Sequence, residues 1–186
     1  MIGAVLAGGR GRRMGGGKPA RELAGRPLVA WPAAALAEAC ASVVVVAKAA
    51  TELPALPGVE RWDEPDAGHH PALGIAYALE RAGEPVLVCA ADMPFVTAEA
   101  CRRVAQALGE GRAAVAVAGG VMQPVFAAYA PAAAASLRAA PPDAALIRTV
   151  DALEPALVEL PAGVVRSVDT EEGLARAEAE LGLRDA

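Results

Sequence analysis

Thirteen residues, Leu6–Lys18, read LAGGRGRRMGGGK and hold six glycines, three arginines and a lysine. They continue the apolar run Ile2–Ala7, which reads as a β-strand. Each glycine loses more backbone freedom on folding than any other residue, so a bland surface turn has no reason to collect so many. Without Cβ atoms, successive backbone N–H groups can converge on an anion. Arg12, Arg13 and Lys18 add charge-assisted hydrogen bonds to phosphate oxygens. The segment therefore predicts a phosphate-binding loop delivered by the first strand. It is not a P-loop, because Arg12 stands where the leading glycine belongs and Pro19 follows Lys18 in place of Ser or Thr. It is not a dinucleotide fingerprint either, since Met14 takes the third glycine position. The buried run Val43–Ala47 is followed by Lys48 rather than by an acid that could hold a ribose.

Charge is distributed unevenly. The chain carries a net −5, yet its first thirty residues set Arg10, Arg12, Arg13, Lys18, Arg21 and Arg26 against Glu22 alone. A local basic cluster among glycines suits a small polyanion and does not suit a nucleic-acid face, which is basic over a broad surface. No apolar run approaches the length of a membrane span, and no secretory pattern opens the sequence. Cys40, Cys89 and Cys101 match no metal or redox spacing and read as buried free thiols, which points to a reducing, cytoplasmic compartment. His69 and His70 are adjacent, with no ligand spacing for zinc.

Apolar runs alternate with helical patterns along the chain. Strands are expected at Ile2–Ala7, Val43–Ala47, Val59–Trp62, Val86–Ala90, Ala113–Ala118, Val121–Ala128 and Val164–Val168. Helices are expected at Pro27–Ala39, Ala72–Arg81 (closed by Gly83), from Thr97 to Leu108, at Pro131–Ala140, near Asp143–Val150, and from Thr170 to Ala179. Gly119–Gly120 marks a hairpin, so one strand should run antiparallel. The pattern predicts an α/β fold over residues 1–186, one domain with a mainly parallel, mixed sheet covered on both faces. Aromatics are only 3% of the residues, so Ala, Val and Leu must fill the core and helices must pack close. Leu137, Leu157, Met122 and Phe126 read as core. Asp92 follows the run Val86–Ala90, at the strand end where α/β sheets place ligands.

The loop resembles the signature of the molybdenum-cofactor guanylyltransferases and their MobA-like nucleotidyltransferase relatives, through Leu6–Gly9, Arg13–Gly15 and Lys18. Asp63 followed by His70–Gly74 looks like that family's Asp and GPLAG loop, with the glycine replaced by His70. Cys89–Pro94 looks like the segment that carries its metal-binding Asp, and Ser167–Thr170 resembles its late NVNT step, with Asp169 in place of Asn. Gln123–Pro124 stands where some members have His–Pro.

The resemblance implies a three-layer, Rossmann-like nucleotidyltransferase fold. It implies that Leu6, Ala7, Gly8 and Gly9 meet the base, and that Arg12, Arg13 and Lys18 hold the triphosphate. Asp63, His70 and Gly74 would border the nucleotide pocket, and Asp92 and Asp169 would hold Mg2+. Arg13, Lys18 and Asp92 would carry catalysis. The activity implied is GMP transfer from GTP to molybdopterin cofactor, with handover to cofactor-insertion proteins or an apo-oxidoreductase, and with neither nucleic acid nor membrane as partner. Alternatives are CMP transfer from CTP to the same cofactor, guanylyl transfer to a phospholactate-type acceptor, and a regulatory NTP-binding module without turnover.

Overall fold

Valine and alanine dominate the strands, and their burial on both faces decides the architecture. Val43–Lys48 (β4) and Ala113–Ala118 (β7) are buried at every residue, as expected of strands covered on both sides. The computed structural model describes residues 1–8, 17–65, 68 and 70–182. Their elements run β1 (Ile2–Leu6), β2 (Glu22–Leu23), β3 (Arg26–Pro27), α1 (Ala30–Ala37), β4, β5 (Glu60–Glu64), α2 (Pro71–Ala82), β6 (Val86–Ala90), α3 (Ala98–Ala107), β7, β8 (Val121–Tyr129), α4 (Ala134–Arg138), α5 (Leu146–Asp151), β9 (Ala156–Glu159) and α6 (Glu171–Gly182).

Seven strands form one sheet in the order β5-β4-β1-β6-β8-β7-β9. β1 pairs in parallel with both β4 and β6, and β8 alone runs antiparallel to its neighbours β6 and β7. The expected mixed, mainly parallel sheet is what forms. One apolar cluster joins Val5, Val45, Leu36, Cys101 and Val104 on the α1/α3 side. A second joins Ala4, Val44, Trp62, Ile75 and Leu137 on the α2/α4 side. The result is a three-layer sandwich. Because β4 lies on one side of β1 and β6 on the other, the chain reverses its direction of winding at β1. That reversal opens a crevice at the strands' C-terminal ends.

Local signals hold where their chemistry is direct. His70 and Thr97 cap α2 and α3, Gly83 closes α2 in the left-handed region at φ 64°, and Thr170 Oγ1 accepts the Gly173 N–H at 3.0 Å.

Four expectations need correction. Val164–Val168 is not a strand: Val164 turns back on Pro161, while Val165 and Val168 bury themselves in separate clusters without joining the ladder. The last strand is β9, which pairs in parallel with β7 and brackets Leu157 against Val115. At that sheet edge Leu157 faces outward and is 61% exposed, so it is not core. The first helix starts at Ala30 because Glu22–Pro27 folds into a small hairpin, with Ala24 and Gly25 at positive φ. Cys40 is only half-buried, whereas Cys89 and Cys101 are buried; burial pushes the Cys40 thiol up to about 11 and Cys101 up to about 12.

The close approach of α1 to β1 depends on Gly3. A Cβ there would lie 2.9 Å from Leu36 Cβ and 3.4 Å from Cys40 Sγ. Leu36 Cβ is fixed to the helix backbone, so it cannot swing away. Gly3→Ala is expected to lower unfolding free energy by about 1–3 kcal/mol through overpacking. Urea unfolding of the two proteins measures this directly, and an unchanged midpoint would contradict it.

Candidate active site

Lys18 is placed by a strap. Gly17, at φ 63°, starts a 3-10 turn over Lys18–Ala20. The Val29 N–H donates to the Pro19 carbonyl at 3.1 Å, and Leu28 N–H to the Arg21 carbonyl at 2.7 Å. Leu23 and Leu28 pack with Phe95, Val168, Leu174 and Leu181 in a third apolar cluster, and Arg21 pairs with Glu171 at 2.5 Å. The strap is thereby anchored to α6 and to the segment that follows β6.

Asp92 follows β6, and its backbone carbonyl accepts the Val168 N–H at 2.8 Å. That bond draws residues 167–169 over the end of the sheet. Lys18 Nζ then lies 2.6 Å from Asp92 Oδ2 and 2.6 Å from Asp169 Oδ1. Ser167 Oγ donates to the other Asp169 oxygen at 2.7 Å. Three residues separated by 74 and 151 positions in sequence share one point. Burial alone would push the Asp169 carboxyl up, but hydrogen bonds from Lys18 and Ser167, with the Lys18 charge, outweigh it and hold the carboxyl below its usual value. The site is half-open, with side-chain exposure of 14% at Lys18, 26% at Asp92 and 49% at Asp169.

The other expected residues are distributed around this point. Leu6 ends β1, where its carbonyl accepts the Ala91 N–H at 3.0 Å, and the Ala7 N–H donates to the Val46 carbonyl at 2.8 Å. Gly8 follows at the same strand end. Gly9, Arg12, Arg13 and His69 lie outside the described residues. Gly74 is buried in α2. Asp63 sits on β5 with its carboxylate held by Arg61 Nε at 2.7 Å. His70 uses both ring nitrogens: Nδ1 accepts the Ala72 N–H at 3.2 Å, and Nε2 lies 2.7 Å from the Ala144 carbonyl, to which it donates. The ring thus caps α2 and pins the loop before α5.

Sequence reasoning missed Glu64, whose carboxylate contacts both Gly8 and Gly74, and its partner Lys48. A lysine terminating an otherwise apolar strand was the available signal. It also missed an open cavity of ≈ 650 Å³ beside Ser167, lined in addition by Gln123, Arg166, Gly163 and Val121.

The Lys18 charge stabilises deprotonated Asp169, a contribution present above the ordinary Asp range and lost as pH falls through the depressed value in the folded protein. Lys18→Ala should therefore lower the melting temperature most near neutrality. The gap to wild type should close on acidification below the ordinary Asp range. Thermal melts across that range check it, and a pH-independent gap would refute the electrostatic coupling.

The family described as the MobA-like NTP transferase domain matches residues 3–159. A molybdenum cofactor guanylyltransferase of Cereibacter sphaeroides is 36% identical over 132 residues, covering 67% of this chain and 66% of its own. A probable molybdenum cofactor guanylyltransferase of Mycobacterium tuberculosis is 40% identical over 104 residues, 53% of this chain and 52% of its own. The matched stretches thus span from about half to just under two-thirds of these curated relatives. Among solved structures, molybdopterin-guanine dinucleotide biosynthesis protein A from Archaeoglobus fulgidus superposes with a TM-score of 0.76 at 24% identity, over 98% of this chain and 100% of its own. The 2-C-methyl-D-erythritol 4-phosphate cytidylyltransferase of Thermus thermophilus does so with a TM-score of 0.73 at 23% identity, over 96% and 98%. These two likenesses establish the Rossmann-like nucleotidyltransferase fold. With the family match spanning β1 to β9, the chain belongs to the MobA-like NTP transferase domain family.

Proposed function

We propose that this chain transfers GMP from GTP to molybdopterin cofactor, with Mg2+, releasing pyrophosphate and forming the guanine dinucleotide. The observation that carries the reading is the convergence of Lys18, Asp92 and Asp169 at the winding reversal of the sheet, 2.6 Å from ammonium to each carboxylate. The guanylyltransferase names of the sequence relatives support the choice of donor and acceptor.

The donor chemistry of the cleft suits Mg2+. Asp92 and Asp169 are hard oxygen ligands that already flank a cation position, which the Lys18 ammonium fills. When bound there, the metal would neutralise charge on the phosphates as it develops. Lys18, freed from the two carboxylates, would turn its ammonium to the triphosphate. Arg12 and Arg13, on the glycine-rich loop, join it. Leu6, Ala7, Gly8 and Gly9 would receive the base, with Gly74 bordering the pocket.

A phosphate oxygen of the acceptor forms a bond to the α-phosphorus. The bond from the α-phosphorus to the bridging oxygen breaks, and its electron pair leaves on pyrophosphate. No protein nucleophile is required, so rate enhancement comes from alignment and charge stabilisation. The cavity lined by Ser167, whose hydroxyl bonds Asp169, would receive the acceptor, with Gln123 at its wall. Release of the dinucleotide to an insertion protein or an apo-oxidoreductase, in the cytoplasm, completes the reading. Among the described residues no helix is long and apolar enough to cross a membrane.

Asp92→Asn should raise the Mg2+ midpoint for turnover by at least about tenfold. Asp169→Asn should be milder, because the related signature accommodates Asn there. Magnesium titrations of both variants check the order; a wild-type midpoint and rate in Asp92→Asn would remove Asp92 from the metal site. Equal concentrations of GTP and CTP, supplied with molybdopterin cofactor and Mg2+, should give predominantly the guanine dinucleotide by mass. A predominance of the cytosine product would assign the chain to cytidylyl transfer. Loss of acceptor conversion with retained GTP binding would instead point to another acceptor or to a regulatory module.

A further inference from the structure

A second ion pair runs alongside the one between Lys18 and Asp169 and joins the same two segments. Arg21 stands just beyond Lys18, Glu171 just beyond Asp169, and Arg21 Nη2 lies 2.5 Å from Glu171 Oε2. Arg21 is tied to the lysine through the backbone. It closes the 3-10 turn Lys18–Ala20, its N–H donating to the Lys18 carbonyl at 3.2 Å. Glu171 is the first residue of α6, and the preceding Thr170 caps that helix through the Gly173 N–H. The pair therefore runs from the turn that carries Lys18 to a fixed helix start. The other anchors of the strap lie further along. Leu23 and Leu28 enter the third apolar cluster, and the Ala24 N–H reaches Glu178 Oε1 at 3.4 Å. Among the described residues, the side-chain hydrogen bonds made between Lys18 and Glu22 are those of Lys18 and Arg21 alone.

Fold stability does not account for this pair. Its side chains are 41% and 59% exposed, and ion pairs so open to solvent add little to stability. What it fixes is the place of the turn. We infer that Arg21 and Glu171 are positioning residues, an ionic latch that holds the Lys18 turn against α6 when the lysine leaves the two aspartates for the triphosphate. This rests on the GTP reading above. With Lys18 turned to phosphate, Arg21–Glu171 is the polar tie left beside it, and the ammonium reaches out from a fixed origin. One sign separates the latch from plain electrostatics. Removing an acid beside a polyanion site strengthens polyanion binding through the field. Removing Glu171 weakens it if the glutamate acts by holding the turn.

The test is isothermal titration of wild type, Arg21→Ala, Glu171→Ala and the double variant with GTP and Mg2+, alongside thermal melts. Each single change should weaken GTP by about threefold to tenfold. The double variant should lie within about twofold of either single, because both changes break one tie. Melting temperatures should stay within about 4 °C of wild type. In a Lys18→Ala background, Glu171→Ala should no longer weaken GTP, since the latch acts through that lysine. A Glu171→Ala protein that binds GTP as tightly as wild type, or tighter, overturns the inference and leaves the GTP reading intact. So does a double variant whose loss is the product of the two, a weakening that persists without Lys18, or a larger fall in melting temperature. A wild type that binds CTP and not GTP overturns the guanine reading alone, and the same series with CTP then decides the latch. A wild type that binds neither overturns both.

Discussion

The ammonium of Lys18 lies between two carboxylates that would otherwise repel each other. Asp92 follows a central strand, Asp169 precedes the last helix, and Lys18 rides on a strap anchored to that helix. One cation therefore ties together the two ends of the chain and the middle of the sheet. On the proposed function, a divalent metal in place of the ammonium would neutralise both carboxylates and leave the lysine available to phosphates. The same electrostatics explain the low carboxyl of Asp169.

The sheet provides the rigid frame. β1 is flanked by parallel partners on both sides, so its C-terminal end lies at the crevice where the winding reverses. Small residues determine how close the layers come: Gly3 lets α1 approach β1, and Gly8 and Gly74 admit the Glu64 carboxylate. The scarcity of aromatics follows from the same geometry. Phe126 and Tyr129 are exceptions on β8, where the register with β7 shifts after Val115 and the Tyr129 hydroxyl finds the Pro124 carbonyl at 2.7 Å.

Much of this was legible in the sequence because its signals are local. An apolar run passing into glycines and basic residues marks β1 and its loop. An acid just beyond Val86–Ala90 marks Asp92, and Gly83, Thr97 and Thr170 mark helix ends. Asp169 could be singled out only through resemblance, since its neighbourhood depends on the long-range bond between Val168 and Asp92. The final strand was misplaced because Val164–Val168 and Ala156–Glu159 are both short and apolar, and only pairing with β7 separates them. Lys48 and Glu64 stand sixteen positions apart, and the parallel register of β4 and β5 brings them together. The His70 ring nitrogens are engaged in a helix cap and with a loop carbonyl, a geometry that no sequence spacing encodes.

The central claim is that Lys18 holds a position that a divalent metal takes when nucleotide binds. A crystal structure of the protein with Mn2+ and GTP, with the metal located by its anomalous scattering, tests it most directly. The account predicts metal ligated by Asp92 and Asp169, with the Lys18 ammonium moved from both carboxylates onto the phosphates. Nucleotide-bound metal elsewhere, with Lys18 still bridging the two aspartates, would contradict it.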